Sequence, residues 1–372
     1  MKIAKIALAA LCAAAFLMPL AAGGKTETKK YELLGAGASF PAPLITAWAD
    51  SYRDVTKGAV TVNYQSIGSG GGIRQFIEQT IMFGATESAL NDAQMADALA
   101  KTGGVAYNMP VTLGDVVLTY NLPGISKGLV FSADVIADAF LGKITRWNDP
   151  RIAALNPGVT LPALPISIAH RSDGSGTTAI FTDYLSKVSD EWRTKVGKGS
   201  SVNWPVGTGG NGNEGVAGIV MNTPGALGYN SLVYAVLNTI SYGSVINKAG
   251  NTITPSLEAT SLSAAVTIPA DGRVSLTNTD AARGYPITGF AWVLVYENLD
   301  KNAAIKSLDK AEQVVKFLYW TITEGQNLNE RLSFARLPAD AQALAVRMLE
   351  STKYDGQVIG KRVIDQAKAK GF

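Results

Sequence analysis

The feature that most constrains this chain is a repeated alternation. A short β-branched or apolar run is followed by a turn rich in Gly, Ser and Thr, and then by a segment of helical periodicity. Residues 61–67 (T-V-N-Y-Q-S-I) predict a strand, and they run through G-S-G-G-G into the helical I-R-Q-F-I-E-Q. Residues 82–86 predict a second short strand, followed by a helix around 94–100. Residues 115–122 (D-V-V-L-T-Y-N-L) predict a strand, and 132–141 an amphipathic helix that opens on Ser132 as its cap. Residues 166–171 predict a strand that enters D-G-S-G-T and the helical T-A-I-F-T-D-Y-L. Further on, 289–296 (G-F-A-W-V-L-V-Y) reads as an apolar strand, and 311–323 and 339–349 as helices. Strands that alternate with helices in this way predict parallel sheets covered by helices on both faces, an α/β fold. Residues 249–277 break the rhythm. They are rich in Thr, Ser and Asn, and read as a meander or excursion.

The first residues are set apart from the fold. Lys2 and Lys5 precede an apolar run from Ile6 to Leu20, and the small residues of L-A-A-G-G follow. That pattern predicts an export signal, residues 1–22, cleaved near Ala21 or Ala22. The single cysteine, Cys12, lies inside the run and is preceded by Leu11, which does not suit lipidation. The exported chain would carry no cysteine, so its core must hold it without disulfides. Roughly 350 residues can supply such a core, as two lobes. The net charge of +3 is partly leader lysine, and no run of like charge marks a nucleic-acid surface. Any anion site must therefore be local.

Three segments share one design. They are G-A-G-A-S-F-P-A-P-L (35–44), G-S-G-G-G-I-R-Q (68–75) and R-S-D-G-S-G-T-T (171–178). Each places Gly, Ser or Thr at a helix start, and in the first Ser39 can cap while Pro41 and Pro43 preset the backbone. A helix start offers N–H groups without intrahelical partners and the positive end of the dipole, both of which favour an anion. Glycine permits close backbone approach, and hydroxyls add neutral donors. One such turn is an ordinary capping structure. Three in one chain, one of them with Arg171, predict an oxyanion site.

Other chemistries fit poorly. No G-x-x-x-x-G-K-[ST] phosphate loop is present, and T-G-G-N-G-N-E-G (208–215) has no lysine where one is needed. G-A-G-A-S-F lacks the third glycine of a dinucleotide fingerprint. His170 is the sole histidine, no G-x-S-x-G elbow occurs, and no carboxylate cluster has metal-ligand spacing. Neither a metal nor any other cofactor is expected. Trp147, Trp204 and Trp292 read as core residues, Lys143 and Arg146 as solvated charges, His170 as a strand-end residue, and T-G-G-N-G-N-E-G as a cleft edge or turn.

Taken in order, G-A-G-A-S-F-P-A-P, Y-Q-S-I-G-S-G-G-G, F-G-A-T-E, L-G-K-I-T-R-W-N-D-P, R-S-D-G-S-G-T, W-P-V-G-T-G-G-N-G-N-E-G and P-G-A-L-G-Y resemble the phosphate-binding proteins of bacterial phosphate ABC transporters, the PstS type. The resemblance implies a two-lobed periplasmic binding protein (type II-like). Each lobe would be a central sheet flanked by helices, with the ligand between them. Lobe 1 would comprise 31–114 and 287–372, and lobe 2 115–286, joined by crossing strands at 115–122 and 289–295. The resemblance further implies that Ser39, Phe40, Ser69, Arg171, Ser175, Gly176 and Thr177 donate to phosphate, while Asp173 steadies Arg171. The family places Asp where this chain has Glu87; this carboxylate is expected either to accept the phosphate proton and disfavour sulfate, or, being one methylene longer, to point away and cap the following helix. No catalysis is implied. The expected partners are inorganic phosphate, possibly arsenate, and the membrane permease and ATPase of an importer, with the protein itself a monomer. A phosphatase, a phosphate sensor or surface protein, and a site for another oxyanion are the competing readings.

Overall fold

The computed structural model describes residues 29–125 and 128–371. The expected export signal and Cys12 lie outside the described residues. Eight strands and one short addition form a single curled sheet. Tyr31–Gly37 (β1), Val60–Ser66 (β2) and Phe83–Thr86 (β3) are mutually parallel on one side. Ser167–Arg171 (β5), Thr208–Gly210 (β6) and Ala226–Ser231 (β7) are parallel on the other. Between them run Ala106–Tyr120 (β4) and Thr288–Tyr296 (β8), giving the order β2-β1-β3-β8-β4-β7-β5-β6, with Ser241–Tyr242 added beside β4.

The central pair corrects two sequence expectations. The sheet is mixed rather than parallel, because β8 runs antiparallel to β3 and β4, and β4 antiparallel to β7. β4 begins nine residues before the expected start at 115, and of the two expected crossing strands it alone runs through both halves. It pairs with β8 from Ala106 to Asp115, and with β7 from Val116 to Tyr120. β8 stops at the crossover, where Thr288 pairs with Asp115. Fourteen of the fifteen β4 residues are buried. Such a strand reads as a nearly continuous apolar run without the alternation that marks a half-exposed one, and M-P-V-T-L-G is interrupted by Pro110 and Gly114.

The helices follow from the turns that precede them. Ala42–Val55 (α1), Ser69–Ile77 (α2), Asp92–Thr102 (α3), Ala133–Phe140 (α4), Gly176–Val188 (α5) and Gly212–Asn222 (α6) each follow a strand or loop in that order. α3 is closed by a full capping box, Asn91 and Gln94. The cap expected of Ser132 is absent: its hydroxyl donates instead to the neighbouring Asp134 carboxylate. Leu257–Ser263 (α7) is the one helix in the Thr-rich excursion, and Leu308–Ile322 (α8) and Ala339–Glu350 (α9) pack beside the first half. Trp147 is fully buried with its N–H on the Gly225 carbonyl, and Trp292 is buried with its N–H on the Gly272 carbonyl. Lys143 pairs with Glu191, and Arg146 donates to the Ala163 carbonyl.

Asp115 sits at the crossover itself. It is buried, and its carboxylate accepts from Thr288 Oγ1 at 2.7 Å and Thr260 Oγ1 at 2.9 Å. The two hydroxyls only partly offset its loss of water, and burial pushes its carboxyl up from 3.8 to about 7. Because the folded state favours the protonated acid, the stabilisation is complete below pH ~4 and is lost as pH rises to about 7. Asp115→Asn should therefore remove a pH-dependent loss of stability of up to about 4 kcal/mol between pH 4 and 7. Chemical denaturation of both proteins across that range checks this, and parallel pH profiles would contradict it.

Candidate functional site

The three Gly/Ser/Thr turns converge, and a fourth joins them. β1 delivers Ala38–Pro41 to the start of α1, β2 delivers Gly68 to α2, and β5 delivers the turn 172–175 to α5. Gly68 has φ +79°, and a Cβ there would lie 2.2 Å from Asp173 Oδ2, so only glycine lets these two turns meet. The Gly70 N–H donates to the Gly174 carbonyl at 2.8 Å. At the centre, the Gly176 N–H donates to Ser69 Oγ at 3.0 Å. A Cβ on Gly176 would fall 2.4 Å from Glu87 Oε2 and 2.7 Å from Ser69 Oγ.

Arg171 ends β5 and is buried, 3% exposed. Its Nε donates to Asp173 Oδ1 at 2.7 Å, and its second amino group to Oδ2, forming a bidentate fork. Asp173 is partly buried, which raises its pKa. The Arg171 bonds and charge and the Gly212 N–H outweigh that, and hold it below the usual carboxylate range. The pair is therefore ionised and nearly neutral overall. The remaining Arg171 amino group, Nη1, reaches Thr177 Oγ1 at 3.5 Å.

Glu87 faces this pair from the end of β3. It is 4% exposed; Oε2 lies 3.5 Å from Thr177 Oγ1, and Oε1 is buried with no hydrogen-bond partner. Burial pushes its carboxyl up from 4.5 to about 8, against the opposing Arg171 charge and the hydroxyls of Thr177 and Ser69. A cavity of about 340 Å³ borders the site through Glu87, and carries Asp183, Lys198, Ser275 and Trp292 on its other walls. Asp183 there is held by Lys198, Ser275 and Thr277, all within 2.8 Å, so its charge is compensated within the cavity wall.

All nine sequence-derived residues lie in this cluster, with some differing in detail. Ser39 does not cap α1, whose N-cap is Pro41. Phe40 lies in the same turn, its ring packed edge-on against Phe334 with centroids 5.6 Å apart. Ser175 is the N-cap of α5: its Oγ accepts from the Thr178 N–H at 3.1 Å, and its own N–H is given to the Ser200 carbonyl. His170 is stacked on Trp204 at 4.9 Å, its Nδ1 against the Arg171 carbonyl.

The segment read as a cleft edge is instead part of the cluster. T-G-G-N-G-N-E-G forms β6 and the start of α6, and brings in Asn213, which is fully buried. Its backbone N–H and Nδ2 both donate to Ser39 Oγ, at 3.1 and 3.0 Å, and Nδ2 also reaches Thr177 Oγ1 at 3.0 Å. Tyr64 and Tyr234 join the cluster with no motif in the sequence to mark them. They donate to the Ala38 and Ser39 carbonyls and hold the first turn. The available signal was the strand-turn-helix pattern of 208–215, the same one that singled out the other three turns.

Four helix starts, a neutralised arginine fork and a buried acid are gathered in one cluster, in a protein with two half-sheets that meet along one strand. Comparison with known proteins gives the family. A profile described as a PBP superfamily domain matches residues 22–324. The "Phosphate-binding protein PstS" of Pasteurella multocida is 41% identical over 84% of this chain and 88% of its own length. That of Xylella fastidiosa is 41% identical over 84% and 83%. A solved high-affinity periplasmic phosphate-binding protein (PfluDING), bound with phosphate, shares the fold at a TM-score of 0.69, with 19% identity over 90% of this chain and 98% of that one. The chain belongs to the PstS family of phosphate-binding proteins within the PBP superfamily.

Close approach at Gly176 gives a direct test of the packing. Gly176→Ala should lower stability by about 1–3 kcal/mol, since Glu87 and Ser69 must retreat. Gly218→Ala, in α6 with nothing within 4 Å of its Cβ, should be neutral or stabilising by about 0.5–1 kcal/mol. Thermal unfolding of the two variants should separate them, and equal shifts would contradict the assignment.

Proposed function

We propose that this chain captures inorganic phosphate between its two halves and delivers it to the permease and ATPase of an ABC phosphate importer. It does so in the periplasm, after its signal is removed, as a monomer. The halves would be residues 31–114 with 287–372, and 115–286, and closure around the anion would follow from its preference for the closed form. The direct donors would be Ser39, Phe40, Ser69, Arg171, Ser175, Gly176 and Thr177, with Asp173 holding the Arg171 fork.

The observation that carries this reading is Glu87, a buried carboxyl with one oxygen unpartnered among hydroxyl donors and a guanidinium. Such a group suits a ligand that brings or shares a proton. Phosphate carries one near neutral pH, and arsenate has the same shape and protonation. With Glu87 near pKa 8, one proton lies between acid and anion whichever of them owns it. Sulfate supplies none, so it can be held only while Glu87 keeps its own. Above pH 8 the two would meet as bare lone pairs, at a cost of about 1–3 kcal/mol or more. A phosphatase is disfavoured because His170 stacks on Trp204 and sets Nδ1 against the Arg171 carbonyl, with no hydrogen bond to Glu87 or to the donor hydroxyls.

Calorimetry on the phosphate-free protein tests this. Phosphate should bind in preference to sulfate, and the preference should widen as pH rises through 8. Glu87→Gln, which has no proton to lose, should bind sulfate with no such pH dependence. Arg171→Ala should weaken phosphate binding by roughly 100-fold or more, against about tenfold for Ser39→Ala, because a charged donor is lost and Asp173 is left unpaired. Equal affinity for sulfate and phosphate at pH 8.5 would sink the selectivity argument.

A further inference from the structure

We propose that Asn213 is the positioning residue that forces the Ser39 and Thr177 hydroxyls to act as donors toward the bound anion. The inference rests on the phosphate-binding reading above, and assigns the polarity of two of its donors.

The lone pairs of the two hydroxyls decide their polarity. A serine or threonine hydroxyl has one proton to give and two lone pairs to receive. Ser39 Oγ receives two N–H groups, both from Asn213: the backbone N–H at 3.1 Å and Nδ2 at 3.0 Å. Its acceptor capacity is filled, so the hydroxyl can meet any further partner only by donating. Thr177 Oγ1 receives Asn213 Nδ2 at 3.0 Å and Arg171 Nη1 at 3.5 Å, and its proton is directed at Glu87 Oε2, 3.5 Å away. At that length the Glu87 contact is weak, and a negatively charged oxygen nearby would take the proton in its place.

Asn213 can impose this polarity because its own amide cannot turn over. Its Oδ1 accepts the Ser231 backbone N–H at 2.9 Å, and a backbone N–H can only donate. The oxygen must therefore face Ser231, and Nδ2 must face the two hydroxyls. Behind it, Asn230 Nδ2 donates to the Asn213 carbonyl at 2.8 Å, and Thr119 Oγ1 on β4 donates to Asn230 Oδ1 at 2.9 Å. These two bonds tie the backbone at Asn213 to the crossing strand, while the Ser231 N–H alone sets the direction of the Asn213 amide. The contact also joins the two half-sheets, since Ser39 follows β1 and Asn213 follows β6. The unprotonated oxygens of an oxyanion can be met only by donors. Without Asn213 each hydroxyl would be free to turn its lone pairs toward the ligand.

The test uses the full exported protein with inorganic phosphate as the probe. Asn213→Asp retains an oxygen for the Ser231 N–H but replaces the donor group with an acceptor, which the Ser39 proton would satisfy. Phosphate affinity should fall by about 100-fold, part of it by charge repulsion. A double-mutant cycle with Ser39→Ala separates the two causes. Ser39→Ala should cost about tenfold in the wild type and less than about twofold in the N213D background, because there the hydroxyl already points away. Charge repulsion alone would leave the Ser39→Ala cost unchanged at tenfold, and so would a purely structural role, and either result overturns the proposal. Thermal unfolding of the ligand-free variants accompanies the cycle. Should N213D not fold, the same cycle with Asn213→Ala decides: loss of the Ser39 contribution supports the assignment, and additivity refutes it. Absence of phosphate binding by the wild type would instead refute the function.

Discussion

The buried fork between Arg171 and Asp173 is the interaction on which the rest of the site is built. A guanidinium out of water must be paired, or it costs several kcal/mol. Asp173 pairs it bidentately from two residues away, and then also takes the Gly212 N–H. One carboxylate thus fixes the charged donor, the conformation of the 172–175 turn, and the distance from that turn to the start of α6. Gly68 lies against the same carboxylate, close enough that any side chain would displace it. The fork is nearly neutral as a whole. A bound anion would be held mainly by oriented dipoles and hydroxyls, with no large uncompensated charge to repel other cations or to attract polyanions.

The second constraint is β4. A single buried strand supplies the partner for β8 in one half and for β7 in the other, so the two half-sheets share a backbone ladder rather than a flexible linker. Asp115 marks the exchange of partners, tied to Thr288 on β8 and Thr260 on α7. Four residues further along, Thr119 begins the hydrogen-bond chain that ends at Ser39. The crossing strand and the site are thus joined by hydrogen bonds of fixed direction. A change in the angle between the halves would be felt at the donors, and the reverse holds as well.

Much of this was legible in the sequence because the turns advertise their chemistry. A Gly/Ser-rich turn between a strand and a helix has few physical uses, and three of the four helix starts were found from that pattern alone. Asn213 is hidden because T-G-G-N-G-N-E-G lacks the lysine of a phosphate loop and so reads as an ordinary turn. An asparagine's value here lies in which amide atom faces which hydroxyl, and that depends on Ser231, eighteen residues away. The sheet was read as parallel because local alternation reports each half faithfully but says nothing about the strands that link them. β4 was cut short because a strand buried on both faces lacks the period-two signal, while Pro110 and Gly114 imitate a turn. Ser132 shows the opposite failure: the capping residue is in place, but its hydroxyl prefers the adjacent Asp134 carboxylate.

The central claim is that donors from three helix starts, braced by a fourth through Asn213, enclose one tetrahedral oxyanion beside Glu87. A crystal structure of the phosphate-free protein soaked in arsenate, with data collected at the arsenic absorption edge, locates the anion by its anomalous signal. One strong peak is expected within hydrogen-bond distance of Arg171, Ser39, Thr177 and Glu87. A peak elsewhere, or a fully occupied arsenate that leaves Arg171 and Glu87 untouched, would contradict it.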